Sequence, residues 1–154
     1  MDTQAYKKVN ELLQSFIAES LLTGFKEFST TIKAYELETP YAVVGGFYYY
    51  FSGLVASDRA EDQTKAREIL QFINEIMNGK EHDDEVKNMV YLEFIEMLLG
   101  SVGPDGKDLD DAFEHKKMKL AKQCFTGEAL YWLRYAVEHS NDAYRSKFPY
   151  VFED

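Results

Sequence analysis

Residues 40–56 read Pro-Tyr-Ala-Val-Val-Gly-Gly-Phe-Tyr-Tyr-Tyr-Phe-Ser-Gly-Leu-Val-Ala and contain no charged side chain. A segment that is apolar on every side has to be covered by other elements. Thr39 is a suitable N-cap, Pro40 suits the first helical position, and the run is longer than an ordinary strand. We therefore predict a buried helix over 40–56. A strand or hairpin is the alternative, because Val, Tyr and Phe favour sheets and Gly45-Gly46 could break the run.

The segments on both sides of this run have the apolar periodicity of amphipathic helices. Their apolar residues recur at three- and four-residue steps, which predicts helices over 3–22, 25–38, from the end of a polar turn at 57–62 to about 78, and over 86–99, 108–123 and 128–139. The aromatic tail, 143–154, is expected to pack on the body. The predicted fold class is all-α: one domain over 1–154, a bundle of about six to seven helices around a buried central helix near 40–56.

Length and composition narrow the class of protein. A chain of 154 residues with 45% apolar side chains can bury a core of its own. The single cysteine, Cys124, excludes an internal disulfide and any multi-cysteine metal site. No apolar signal segment follows the N-terminus, and the uncharged run 39–57, with its glycines and tyrosines, is better suited to a core than to a membrane. A cytoplasmic location without a membrane partner is expected.

The net charge of −10 is concentrated in one part of the chain. Counting acids against bases gives 7 and 5 in residues 1–60, 15 and 5 in residues 61–114, and 5 and 7 in residues 115–154. The middle segment therefore carries the whole imbalance. The negative electrostatic potential of this segment repels nucleic acid and anionic membranes, and it attracts basic proteins. Nucleic-acid binding is excluded first.

Motifs that would indicate catalysis or metal binding are missing from the sequence. None of the three histidines stands in metal-ligand spacing, and the loop that begins at Asp105 lacks the EF-hand pattern of carboxylates. Glu93 and Glu96, one helical turn apart, are the best carboxylate pair, but an exposed stripe explains them better than acid–base chemistry. Cys124 is better explained as a small buried thiol than as a nucleophile. We predict no enzyme, no metal and no cofactor.

Three short segments carry a resemblance to a known class of proteins. They are Pro40–Gly45, Ile73–Glu75, and Asp84–Val90 followed by Phe94-Ile95-Glu96. Over about residues 40–100 the chain resembles small bacterial proteins encoded beside toxins, which include immunity proteins of contact-dependent inhibition and other polymorphic toxin systems. The resemblance implies a protein that neutralises a toxin, and it identifies no functional residue.

The leading hypothesis is an immunity protein that binds a cognate basic toxin domain in a 1:1 complex, a nuclease being the class whose cationic site best matches an acidic surface. An aromatic or aliphatic anchor is also required, because exposed charges alone give modest affinity. An exposed tyrosine among 48–50 is the candidate anchor. The predicted partner-binding residues are Glu81, Asp83, Asp84, Glu85, Asp105, Asp108, Asp110, Asp111, Glu114, Tyr48 and Tyr50.

Two other functions stay open at this point. A helical regulatory or scaffold module would use its acidity for solubility and an exposed apolar patch for self-association or for a partner. A small-ligand pocket or an enzyme beneath the aromatic residues at 47–51 would need a deep cavity with convergent polar groups.

Overall fold

The computed structural model describes residues 40–80, 84–100, 110–140 and 142–154. These residues form six α-helices: α1 (Pro40–Ala56), α2 (Ala60–Asn78), α3 (Asp84–Val90), α4 (Asp111–Cys124), α5 (Gly127–Ser140) and α6 (Asp142–Lys147). A π-helical turn (Tyr91–Ile95) and a 3-10 turn (Glu96–Leu99) continue α3, and a second 3-10 turn (Pro149–Phe152) follows α6. The described residues contain no strand, so the predicted all-α class is confirmed and the strand alternative for 40–56 is wrong. The helices predicted over 3–22 and 25–38 lie outside the described residues.

Helix α1 lies at the centre of the described core. Its Phe47 and Phe51 side chains are fully buried. Both rings contact Phe94, with centroid distances of 6.1 and 5.3 Å. One stripe of α1 is nevertheless open to solvent, because Tyr49, Gly53 and Ala56 are exposed. The expectation that the helix is covered on every side therefore holds for most of its surface and fails along this stripe.

The segment after α3 departs from the regular helix that the sequence predicts through Leu99. Four of the buried residues of α3 and its continuation form one row in steps of four: Val86, Val90, Phe94 and Leu98. In an α-helix a row with this spacing drifts by about 40° per step. A π turn holds more residues than an α turn, and here the backbone N–H of Glu96 donates to the carbonyl of Tyr91, five residues earlier. We infer that this wider turn keeps the row on the core.

The C-terminal residues lie against the helices rather than projecting from them. Phe148 and Val151 are buried in the same core as α1. Arg134 of α5 donates from Nε to the carbonyl of Val151 at 2.9 Å, and Lys122 of α4 donates to the carbonyl of Glu153 at 2.5 Å. Two helices therefore hold the backbone of the tail. In the part of the chain that the structure describes, no helix is both long enough and apolar enough to cross a membrane.

Candidate functional site: an aromatic groove between α3 and α5

A groove of about 590 Å³ separates α3 from α5, and we call it the α3–α5 groove. It combines aromatic rings with charged and amide side chains, which is typical of a recognition site. Its lining residues are Met77 of α2, Asp84, Lys87 and Asn88 of α3, Tyr91 of the π turn, and Glu128, Trp132 and Tyr135 of α5.

The aromatic part of the groove is a cluster of three rings. Tyr91 lies 5.2 Å from Trp132 and 6.2 Å from Tyr135 between ring centroids, and the last two lie 5.3 Å apart. The ring planes meet at 55° to 69°, so the contacts are tilted or edge-to-face and none of the three pairs is a parallel stack. Tyr135 is 38% exposed and the neighbouring Tyr131 is 59% exposed. Large aromatic side chains with open faces are those that most often supply binding energy at protein interfaces.

The positions of these rings follow from the phase of α5. The helix buries Ala129, Leu133, Ala136 and Val137 against the core. Residues at four-residue steps on the opposite side face solvent, and here they are Tyr131, Tyr135 and His139. The His139 ring stacks on Tyr135 at 4.1 Å. One face of α5 therefore builds the core, while the other presents an aromatic stripe beside the groove.

Charges beside the rings are mainly negative. Asp84 and Glu128 are exposed, and Lys87 donates to Glu128 at 2.8 Å, which joins α3 to α5. Burial raises the pKa of Tyr91 to about 12, with further contributions from the Glu96 carboxylate and from Tyr135. This end of the bundle has a net negative charge, because it carries three carboxylates, Asp84, Glu128 and Glu96, and one ammonium group, Lys87. A carboxylate-rich surface of this kind favours a cationic group.

Two asparagines of α2 fix the start of α5, where Glu128 lies. Asn74 accepts a hydrogen bond from the backbone N–H of Thr126 at 2.9 Å. Asn78 accepts from the backbone N–H of Glu128 at 2.9 Å and donates to the carbonyl of Thr126 at 3.0 Å. Gly127 between them has φ +52°, and a Cβ there would lie 2.3 Å from the Asn78 side chain. Asn74, which belongs to the Ile73–Glu75 segment of the resemblance, thus has a structural contact here.

The predicted acidic residues differ in position and in contacts. Glu81, Asp83, Asp105 and Asp108 lie outside the described residues, and Glu85 lies in α3 with its side chain outside the description. Asp84 lines the groove. Asp110 caps α4, accepting from the backbone N–H of Phe113 at 2.7 Å. Asp111 and Glu114 both pair with Lys147, and Glu114 is buried. The described acids of 110–114 therefore have local structural contacts, and Glu114 does not belong to an exposed acidic surface.

Of the three consecutive tyrosines 48–50, the two named as anchors, Tyr48 and Tyr50, are not the exposed one. Tyr48 is buried, and its hydroxyl accepts a hydrogen bond from Lys117 at 2.5 Å. Tyr50 is partly buried against the core. Tyr49, which lies in the predicted range 48–50 but was not one of the two named anchors, is 38% exposed. The choice of Tyr48 is therefore corrected, because the phase of α1 turns its ring toward Phe94 and α4 rather than toward solvent.

A second polar cluster lies inside the bundle. Lys117 is fully buried, with its ammonium group over the rings of Tyr48 and Phe113 at 5.2 and 5.6 Å from their centroids. Burial lowers the pKa of Lys117 to about 8, against an opposing contribution from Glu114. The side chain is 0% exposed, so Lys117 is an internal residue and not part of a binding surface.

The other candidate residues do not form a site within the described residues. Glu93 is half-buried and Glu96 is exposed; burial, followed by the Glu96 charge, raises the pKa of Glu93. Neither residue lines the groove. Cys124 is partly buried, and burial raises the pKa of its thiol. No group of three or more His, Cys, Asp or Glu side chains in the described part of the chain could hold a metal ion.

Comparisons with known proteins add no relative. The chain matches no family model, no curated protein and no solved structure. The resemblance to immunity proteins therefore stays a prediction, and the functional argument depends on the geometry described above.

Proposed function

We propose that this protein is an immunity protein: a stoichiometric inhibitor that binds a cognate basic toxin domain and blocks its active site. The observation that carries the proposal is the α3–α5 groove, which places open aromatic rings beside the carboxylates of Asp84 and Glu128. This combination matches the two requirements of a tight complex with a basic protein, a desolvated anchor and complementary charge.

The charge of the chain supports the same partner class. Residues 61–114 carry 15 acids and 5 bases, and α3 with its continuation belongs to this segment. A nuclease holds phosphate groups with cationic side chains, so a surface of carboxylates can occupy the same side chains. Charge complementarity speeds encounter and disfavours wrong partners, while its contribution to affinity at exposed positions is small.

The structure also changes which residues the proposal uses. Asp84 remains, because it lines the groove. Tyr48 and Glu114 are dropped, because both are buried and bound within the bundle. Trp132 and Tyr135 take the place of the tyrosines of α1 as the aromatic anchor.

A growth assay tests the proposal directly. The product of the neighbouring open reading frame is expressed alone and together with this protein, and growth is followed. We expect arrest with the first and rescue with the second. Calorimetric titration of the two purified proteins should then give a 1:1 complex whose affinity falls as salt increases. A neighbouring product that is harmless, or that does not bind, would overturn the proposal; binding that is indifferent to salt would remove the acidic surface from it.

A helical scaffold or regulatory module is a second candidate, and the exposed aromatic stripe of α5 favours it. Tyr131 is 59% exposed and extends the apolar surface beyond the groove. This function predicts self-association that depends on protein concentration and persists in high salt. Sedimentation of the purified protein distinguishes the two, because an inhibitor with an acidic surface should remain a monomer until its partner is added.

A further inference from the structure

The rings of the α3–α5 groove are not stacked on one another. Tyr91, Trp132 and Tyr135 meet at 55° to 69°, so the edge of one ring contacts the next without lying parallel over its face. His139 stacks on Tyr135 at 4.1 Å, and Tyr135 remains 38% exposed. The face of an aromatic ring is its electronegative part and attracts cations, most strongly in tryptophan. A cation that enters the groove therefore meets several favourable surfaces at once.

Carboxylates lie beside the same rings. Asp84 and Glu128 both line the groove, and the Glu96 charge acts on Tyr91. One intramolecular cation, Lys87, already uses Glu128, with its Nζ 2.8 Å from the carboxylate. This intramolecular ion pair shows that the Glu128 end of the groove can hold a basic side chain.

We propose that the groove receives an arginine side chain of the basic partner, an inference that rests on the proposed function. The planar guanidinium stacks on aromatic faces and forms two parallel hydrogen bonds with one carboxylate, while the lysine ammonium is a compact and strongly hydrated charge. At about 590 Å³ the groove also has room for residues on both sides of the arginine.

The chain contains its own reporter for this site. Trp132 is the single tryptophan of the sequence and lies in the groove, so its fluorescence reports binding there. The probe is a short blocked peptide of glycine with two arginines, compared with the same peptide carrying lysine and with one carrying citrulline, the neutral analogue of arginine. We expect a saturable change with arginine, a weaker one with lysine and none with citrulline. An equal response to citrulline, or no saturable response to arginine, would overturn the inference.

Variants separate the groove from the rest of the surface. Tyr135→Ala should weaken arginine-peptide binding by about threefold to tenfold, because one ring face is lost. Tyr49→Ala is the matched control, because Tyr49 has the same exposed fraction, 38%, and lies on α1. Asp84→Asn should also weaken binding, and equal effects of Tyr135→Ala and Tyr49→Ala would refute the groove as the site.

Lys87→Gln tests the site in the opposite direction, because this variant should strengthen peptide binding. Removing the lysine releases Glu128 from its ion pair, so the peptide should bind about two- to fivefold more tightly. Partial unfolding cannot produce a gain in affinity, and circular dichroism of each variant verifies its fold. Weaker binding by Lys87→Gln would refute the competition between this lysine and the arginine.

The two proposals can fail separately. Rescue of growth that Tyr135→Ala and Asp84→Asn leave unchanged would retain the inhibitor and reject the arginine site. Arginine-specific binding in the groove together with a harmless neighbouring product would retain the site and reject the toxin as its partner.

Discussion

Replacing Lys117 by methionine should make the protein more stable at neutral pH. The ammonium group is fully buried, and its hydrogen-bonding partner is the neutral hydroxyl of Tyr48. Removing a charge from water is costly unless a well-placed opposite charge compensates for it. Methionine fills a similar volume without a charge, and Tyr48 retains its hydrogen bond to Ser52.

The magnitude follows from the pKa of the lysine. Burial lowers this pKa from 10.5 to about 8. A fall of that size corresponds to about 3 kcal/mol of unfavourable free energy for the charged form in the folded protein. The contacts of the ammonium with the rings of Tyr48 and Phe113 oppose part of this cost. We therefore expect Lys117→Met to raise the free energy of unfolding by about 1–3 kcal/mol at pH 7.

The same pKa gives the direction of the pH dependence. Between pH 8 and pH 10.5 the unfolded chain keeps the proton of Lys117 while the folded protein releases it. The unfolded state then binds more protons, so the stability of the wild-type protein rises with pH in this window. The Cys124 thiol, whose pKa burial also raises, opposes part of this rise. Above about pH 10 the tyrosines reverse the trend, because burial raises the pKa of Tyr91 and of Tyr150 to about 12 in the folded protein. The useful range for measurement is therefore pH 7–10.

Urea denaturation at several pH values between 7 and 10 measures both effects. The wild-type free energy of unfolding should rise over this range, and that of Lys117→Met should begin higher and lack the part of the rise due to this lysine. Lys119→Met is the control, since Lys119 is an exposed lysine of the same helix. A stability difference between Lys117→Met and wild type that does not narrow as the pH rises, or a Lys117→Met protein less stable than wild type at pH 7, would refute the assignment of a costly buried charge.

Three further predictions concern stability and thiol reactivity. Gly127→Ala should lower the free energy of unfolding by about 1–3 kcal/mol, because φ is positive and a Cβ would meet Asn78. Gly53→Ala, with nothing within 4 Å of the new Cβ, should instead raise the free energy of unfolding by about 0.5–1 kcal/mol. Melting temperatures of the two variants that move in the same direction would contradict this. Phe94→Ala should cost about 3–5 kcal/mol in chemical denaturation, since its ring is fully buried at the centre of the aromatic core, and a loss below 1 kcal/mol would indicate a different core. Cys124 should react with a disulfide reagent at pH 8 more slowly in the folded protein than in urea, because burial raises the pKa of its thiol; equal rates would show that the thiol is accessible.

The sequence predicts most of the described helices because their boundaries depend on local chemistry. The uncharged run 40–56 is α1, and Gly79 follows the end of α2 at Asn78 as expected. The change of helical type at Tyr91 is invisible to periodicity, which records only that apolar residues recur. The burial of Lys117 is equally hidden, because a lysine in the second half of a helix normally interacts with solvent and the helix dipole.

The site is harder to predict than the fold, because it depends on which helices meet. The sequence indicates an acidic middle segment, but it does not show that Asp111 and Glu114 are neutralised by Lys147 from α6. One signal for the groove was present: Tyr131 and Tyr135 are spaced by four in a helix whose opposite face is already apolar. In the structure the other face packs on the core, and Tyr131 and Tyr135 remain exposed.

The π turn at Tyr91–Ile95 takes in more residues than an α-helical turn. Deleting one residue there would restore a regular helix locally and would leave the residues on its two sides in nearly their present phase. The buried Leu98 would then stay on the core, while Tyr91 would change its place relative to Trp132. A deletion of one residue in this segment should therefore disturb the α3–α5 groove more than the core.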